Sequence, residues 1–284
     1  MKIEALQPFG YEVTGVDLKT ITADDFSEIH AAFADAGIVF IRDQDLGEPD
    51  HIQLARRFGE ININRFFTPH PNYPEVALVV KEPAQKMNIG GIWHTDHSYD
   101  EIPALGSVLL AREVPPAGGN TRFASMYRAF ERLSPGLQKT LEGMHAVHSA
   151  AHVFGTKNPL LKKAAKPEPG GRRVHNPNVA DELPDPVHPV VIQHPISRKK
   201  SLYVNPQFTL RFEGWTDAES RPLLDYLAAV ATEEAELCDF EWRVGSIAIW
   251  DNRATWHNAR NDYHGHRRVM HRITIEGCEL RGAA

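Results

Sequence analysis

Trp93-His94-Thr95-Asp96 and, far downstream, Trp250-Asp251-Asn252-Arg253-Ala254-Thr255-Trp256-His257 are the segments of this chain best equipped for chemistry. Two imidazoles and one carboxylate can occupy one face of an octahedral Fe(II) and leave three positions open to substrates. His94, Asp96 and His257 are such a set, and they point to an oxygen-activating enzyme rather than a binding module. A His-x-Asp triplet alone is weak, because in a chain with 15 histidines roughly one is expected by accident. Context strengthens it. Trp93 and the polar turn after it place the pair at a strand end. Ser246-Ile247-Ala248-Ile249-Trp250 reads as a strong strand ahead of His257, and Arg268 opens another apolar run, Val269–Ile275. Adjacent strands of a barrel can bring such groups to one mouth.

Those residues need a scaffold. Thr22-Ala23-Asp24-Asp25 is a helix N-cap with an acidic third position, and Phe26, Ile29 and Phe33 follow at helical spacing, so 23–36 is an amphipathic helix. Gly37 ends it, and Ile38-Val39-Phe40-Ile41 is a buried strand. A second helix covers 48–58, with Ile52, Ala55 and Phe58 on one face. Short β-type runs follow at 76–80, 106–112, 188–194, 201–204, 246–250 and 269–275. Helical patterns interrupt them at 126–144 and about 220–233, where Pro222 blurs the start. Many short strands with few helices between them predict a mainly β fold with flanking helices, a barrel or sandwich. There is no internal repeat, so 1–284 reads as a single domain with one insertion at about 155–187. That stretch is rich in Pro and Gly and carries Lys162, Lys163, Lys166, Arg172 and Arg173. A loop of such length is either an active-site lid or a solvated surface segment.

Composition narrows the class. At 42% hydrophobic the chain can bury a sizeable core. No run reaches the ~20 apolar residues of a membrane helix, and the opening MKIEALQPFGYEV lacks the apolar region of a signal peptide. A cytoplasmic protein with no membrane partner is expected. The two cysteines, Cys238 and Cys278, read as free thiols of a reducing compartment. They exclude a cysteine-built zinc or iron–sulfur site within the chain. A formal charge of −6 argues against nucleic acid as a partner.

Further segments carry a resemblance. They are Gly15-Val16-Asp17-Leu18, Val39-Phe40-Ile41-Arg42-Asp43-Gln44, Phe58-Gly59, Gly118-Gly119-Asn120-Thr121, His188-Pro189-Val190-Val191 and Leu202-Tyr203-Val204-Asn205. With the two opening segments and Met270-His271-Arg272, they make nearly the whole chain resemble the taurine dioxygenase/2,4-dichlorophenoxyacetate dioxygenase family of Fe(II)- and 2-oxoglutarate-dependent oxygenases. The resemblance implies a double-stranded β-helix, the cupin-like jelly-roll. It implies that His94, Asp96 and His257 hold Fe(II), that 2-oxoglutarate fills two of the open positions, and that O2 takes the third. Loss of CO2 from the oxo-acid, giving succinate, then drives hydroxylation of a small organic anion such as an aryloxyalkanoate or a sulfonate.

Arg268 matches the family's clamp on the distal carboxylate of 2-oxoglutarate, and Thr121 matches the hydroxyl beside it. A guanidinium fork grips a carboxylate bidentately and does not titrate near neutral pH. On a regular strand Arg268, Met270 and Arg272 share one face, with His271 opposite. Arg272 then points into the same cavity, and the resemblance implies that it binds the substrate's anionic group and serves catalysis from there. His70 lies in the loop where taurine-type enzymes place a histidine on the sulfonate, which makes it a second substrate-binding candidate. His97 points away if 94–97 is extended, while Tyr99 stands nearer the pocket. The segments Ser125–Tyr127, Leu133-Ser134-Pro135 and Val147–Phe154 are closer to the aryloxyalkanoate-degrading branch, which implies a larger, aromatic carboxylate. Relatives form dimers or tetramers, so a homo-oligomer is expected.

Two other readings fit the same residues. One is a tailoring oxygenase of natural-product biosynthesis, although Asp96 disfavours a halogenase, where a small residue replaces the carboxylate. The other is a non-redox cupin-like metal protein, for which Arg268 and Thr121 would be incidental.

Overall fold

Strands set the architecture. In chain order they are β1 (Lys2–Ala5), β2 (Tyr11–Thr14), β3 (Ile38–Ile41), β4 (Ile61–Asn62), β5 (Thr68–Pro69), β6 (Ala77–Lys81), β7 (Gly106–Glu113) and β8 (Thr121–Ser125). They continue as β9 (His145–His148), β10 (Val187–Pro189), β11 (Val191–Gln193), β12 (Lys200–Leu202), β13 (Thr209–Phe212), β14 (Leu237–Phe240), β15 (Ile247–Asp251), β16 (Thr255–Ala259) and β17 (Arg268–Ile275). The computed structural model describes residues 1–156, 158 and 177–283.

The larger sheet runs β1-β2-β3-β15-β7-β17-β6-β5, antiparallel except where β2 meets β3. A smaller sheet, β14-β8-β16, faces it as in a jelly-roll. Phe40 of the larger sheet stacks on Phe240 of the smaller at 4.0 Å and meets Phe123 edge-on at 5.5 Å. Side chains alternate strictly across these strands. Ile38, Phe40, Leu109, Ala248, Trp250 and Met270 fill the space between the sheets. Val39, Ile41, Val108, Leu110, Ile247, Ile249, Ile273 and Ile275 turn the other way, under helices Ala23–Ala36 and Glu48–Arg56. Full burial of one such side chain is worth about 1.5–3 kcal/mol. With both faces buried, the strands read as unbroken apolar runs. The outer face of the smaller sheet, Ala124 and Trp256, packs under helices Met126–Glu131 and Asp217–Ala231.

The first helix ends as its sequence demands. Gly37 adopts φ +75°, and a Cβ there would lie 2.6 Å from the Ala254 Cβ. Elsewhere the elements differ from expectation in informative ways. The pattern at 126–144 is two helices, because Ser134 caps a new one and Pro135 occupies its first turn. The run 188–194 breaks at Val190, and its halves pair with different partners, β9 and β12. The helix read at about 220–233 begins earlier, at Asp217, where Thr216 and Glu219 form a capping box. Of the expected lid at about 155–187, residues 157 and 159–176 lie outside the described residues. Among the described residues no helix is long and apolar enough to cross a membrane, and Cys238 and Cys278 are both free.

Candidate active site

A single reciprocal backbone bridge brings two of the sequence-predicted residues together. His94 N–H donates to the His257 carbonyl at 3.2 Å, and His257 N–H donates back at 2.8 Å. Residues that exchange both bonds present their side chains on the same side, and these two ring centroids are 4.1 Å apart. His257 sits on β16, directly across from Phe123 of β8, with the Trp250 ring 4.8 Å away. Asp96 occupies the turn that follows His94. The expected strand end before the pair is therefore corrected to an isolated bridge followed by a turn.

One ligand atom from each of His94, Asp96 and His257 lies within 4.8 Å of the other two. His94 Nε2 is 3.5 Å from Asp96 Oδ1, and His257 Nε2 is 3.6 Å from Oδ2. His94 Nδ1 lies 2.6 Å from the Ile92 carbonyl. That nitrogen must carry the proton, so the Nε2 lone pair faces the carboxylate. All three side chains are buried. Burial pushes the Asp96 carboxyl up, but Arg272 and the two imidazoles outweigh it and hold the group well below the usual carboxylate range. Burial, with His94 alongside, pushes His257 well below an ordinary imidazole. An ionised carboxylate with a neutral imidazole beside it is the donor form a divalent metal takes up, and the mixed nitrogen–oxygen set suits Fe(II).

Thr121 and Arg268 line the same cavity. Thr121, on β8, stands across from Ala259 of β16 and accepts a hydrogen bond from Trp242 Nε1 at 2.9 Å. Arg268 is 5% exposed. Its guanidinium lies 5.7 Å from the Trp242 ring centroid, and its Nε and Nη2 have no hydrogen-bond partner among the described residues. An unpaired buried cation is costly, and a carboxylate is its natural complement. The residues present thus fit an oxo-acid as well as a metal.

The alternation expected for β17 holds, and Arg272 reaches the cavity. Its Nη2 lies 2.8 Å from Asp96 Oδ2, its Nη1 donates to Oδ1 at 3.3 Å, and its Nε donates to Ser107 Oγ at 3.0 Å. His70 does not reach it. Its ring packs 5.7 Å from His271 and 5.4 Å from Tyr73. His271 faces the helix side, where Glu48 and Arg112 meet it. The loop ahead of β5 turns Asn64 and Phe67 into the cavity instead. Sequence reading missed these two, together with Phe154, Gln207 and Phe208, all of them cavity-lining. Loop residues, and a one-turn helix such as Ala151–Phe154, have too little periodicity to signal the wall they join. Tyr99 lines the cavity as expected and packs against Phe208 at 4.8 Å. His97 is turned away from the triad, though by a left-handed backbone (φ 58°) rather than by strand alternation.

Comparison with known proteins agrees with this geometry. The family described as "Taurine catabolism dioxygenase TauD, TfdA family" matches residues 2–274. An alkylsulfatase from Acinetobacter baylyi is 31% identical over 280 residues, covering 96% of this chain and 84% of the relative. A (S)-phenoxypropionate/alpha-ketoglutarate-dioxygenase from Sphingobium herbicidovorans is 30% identical over 275 residues, covering 95% and 92%. The crystal structure of AAD-2 in complex with Mn(II) and N-oxalylglycine superposes with a TM-score of 0.80 at 25% identity, covering 98% of this chain and 99% of that one.

Proposed function

Because the chain belongs to the TauD/TfdA family of Fe(II)- and 2-oxoglutarate-dependent dioxygenases, we propose that it hydroxylates a small organic anion with an apolar body. The observation that carries this reading is Arg268, buried in the cavity that holds the triad, with Nε and Nη2 unpaired among the described residues. A non-redox metal protein leaves that guanidinium without a role.

In this reading His94, Asp96 and His257 hold the metal, and Arg268 with Thr121 holds the distal carboxylate of 2-oxoglutarate. Bound Fe(II) and 2-oxoglutarate supply O2-dependent oxidation of a C–H bond, with succinate and CO2 as the co-products. The chain's own part is to orient and to exclude water. The Ile92 carbonyl fixes the His94 tautomer, and Trp250 braces the His257 ring. Arg272 neutralises Asp96, which removes the repulsion that this buried carboxylate would exert on an anionic substrate. Phe67, Tyr99, Phe154 and Phe208 are among the cavity's apolar lining, which supports an alkyl or aryl body. Hydroxylation at a carbon that bears a sulfate or aryloxy oxygen gives a hemiacetal-type product, which collapses to a carbonyl compound and releases sulfate or a phenol.

The test is succinate formation under air with Fe(II), 2-oxoglutarate and a panel of alkyl sulfates, alkanesulfonates and 2-aryloxypropionates. At least one class is expected to raise the rate about tenfold or more and to yield the matching carbonyl product. Succinate formation that no anion stimulates would sink the substrate reading.

A further inference from the structure

We propose that His97 is a positioning residue which, through the side-chain amide of Asn64, sets a hydrogen-bond donor on the cavity wall for the anionic end of the substrate; this rests on the substrate reading above. Asn64 is the polar side chain that its loop contributes to the cavity. Its Oδ1 accepts the backbone N–H groups of Phe66 at 2.9 Å and Phe67 at 3.2 Å. Two backbone donors at one atom identify it as the oxygen. The amide nitrogen therefore faces His97 Nε2, 3.0 Å away. That nitrogen can only donate, so His97 Nε2 accepts and the imidazole proton sits on Nδ1. Nδ1 in turn donates to Asp100 at 2.7 Å, whose carboxylate also lies 3.1 Å from Arg65. Each assignment is forced by the one before it. The second N–H of the Asn64 amide has no hydrogen-bond partner among the described residues.

The backbone supports the same reading. His97 is 1% exposed and holds φ 58°, a left-handed conformation that is strained for a non-glycine residue. Such strain persists where the surroundings over-determine it, and it clusters at ligand sites. Here both ring nitrogens are engaged, and the ring stacks on cavity-lining Tyr99 at 5.4 Å. The Asn64 N–H gives this wall a hydrogen-bond donor, near the cation with which Arg272 offsets Asp96. It suits an acceptor-only head group, namely a carboxylate, sulfonate or sulfate.

The experiment loads the protein with Mn(II) and N-oxalylglycine, which blocks turnover, and measures by calorimetry the affinity for hexyl sulfate, hexanesulfonate and 2-phenoxypropionate. At least one anion should bind, and His97→Phe should weaken it about tenfold or more. His97→Gln, whose amide can accept from Asn64 and donate to Asp100, should stay within about threefold of the native protein. Asn64→Asp keeps the oxygen for Phe66 and Phe67 but presents an acceptor to the cavity, and it should lose the anion. N-oxalylglycine affinity should stay within about twofold in all three variants. Anion affinity unchanged by Asn64→Asp overturns the inference and leaves the substrate reading standing, as does weakening by His97→Phe that His97→Gln does not rescue. Should His97→Phe fail to fold, Asn64→Asp and His97→Gln decide. No anion binding by the native protein overturns the substrate reading and this inference with it.

Discussion

Arg268 and Arg272 leave the same face of one strand, yet among the described residues only Arg272 of the two meets a carboxylate. The pair divides two tasks. In the proposed reading, one cation neutralises the carboxylate of the triad, and the other is the anchor for the oxo-acid.

Arg268→Met removes an uncompensated buried charge. The unliganded protein should gain about 1–3 kcal/mol, and its melting temperature should no longer respond to 2-oxoglutarate. Thermal melts with and without the oxo-acid decide it. An undiminished ligand-induced rise would show that the carboxylate is held elsewhere.

Arg272→Met has the opposite sign. It leaves the buried Asp96 carboxylate without its counter-ion, a loss of about 3–5 kcal/mol. Urea denaturation at pH 7 should register most of it, and Mn(II) should restore a large share by supplying the missing charge. A variant as stable as the native protein without metal contradicts the pairing.

His94→Ala and His257→Ala should each weaken Mn(II) binding by at least about a hundredfold, as measured by titration with an EPR readout. Thr121→Val, by contrast, should leave metal affinity unchanged and weaken 2-oxoglutarate by about tenfold. A metal loss in Thr121→Val would place the hydroxyl in the wrong half of the site.

Acid stability follows from His51. It is fully buried beneath β7, with Nε2 3.2 Å from the Val108 carbonyl, and burial pushes its pKa down to about 3. The unfolded imidazole, near 6.5, binds a proton that the folded one refuses. Stability is therefore full above pH 6.5 and falls, by about 1.4 kcal/mol per pH unit, as the pH drops from 6.5 towards 3. His51→Gln should flatten that slope in denaturation curves recorded between pH 4 and 7. An equally steep slope in the variant would assign the acid loss to other groups.

Much of the scaffold was legible because the larger sheet is covered on both faces. Ile38–Ile41 and Ile247–Trp250 have no polar side to dilute the signal. The smaller sheet was not legible. β8 and β16 turn Thr121 and His257 inward while Ala124 and Trp256 pack outward, so functional polarity erases the alternation that marks a strand. The same conflict hid the strand identity of His257. Arg268 and Arg272 were predicted to share a face because a period of two survives along β17, and the structure keeps it. His70 failed for a complementary reason. Its loop has no period, and the pairing of β5 with β6 carries it past the cavity to His271.

The sequence by itself determined the chemical inventory: two histidines and an aspartate able to hold a metal, an arginine for a carboxylate, and the strands that carry them. Residue type and short-range periodicity are local properties, and they can be read without a fold. Only the tertiary structure decided which groups satisfy one another. A backbone bridge closes His94 on His257, Asp96 takes Arg272 and leaves Arg268 free, and Asn64 rather than His70 joins the wall. Those outcomes depend on contacts between residues far apart in the chain, where loop paths and buried charges compete for the same partners.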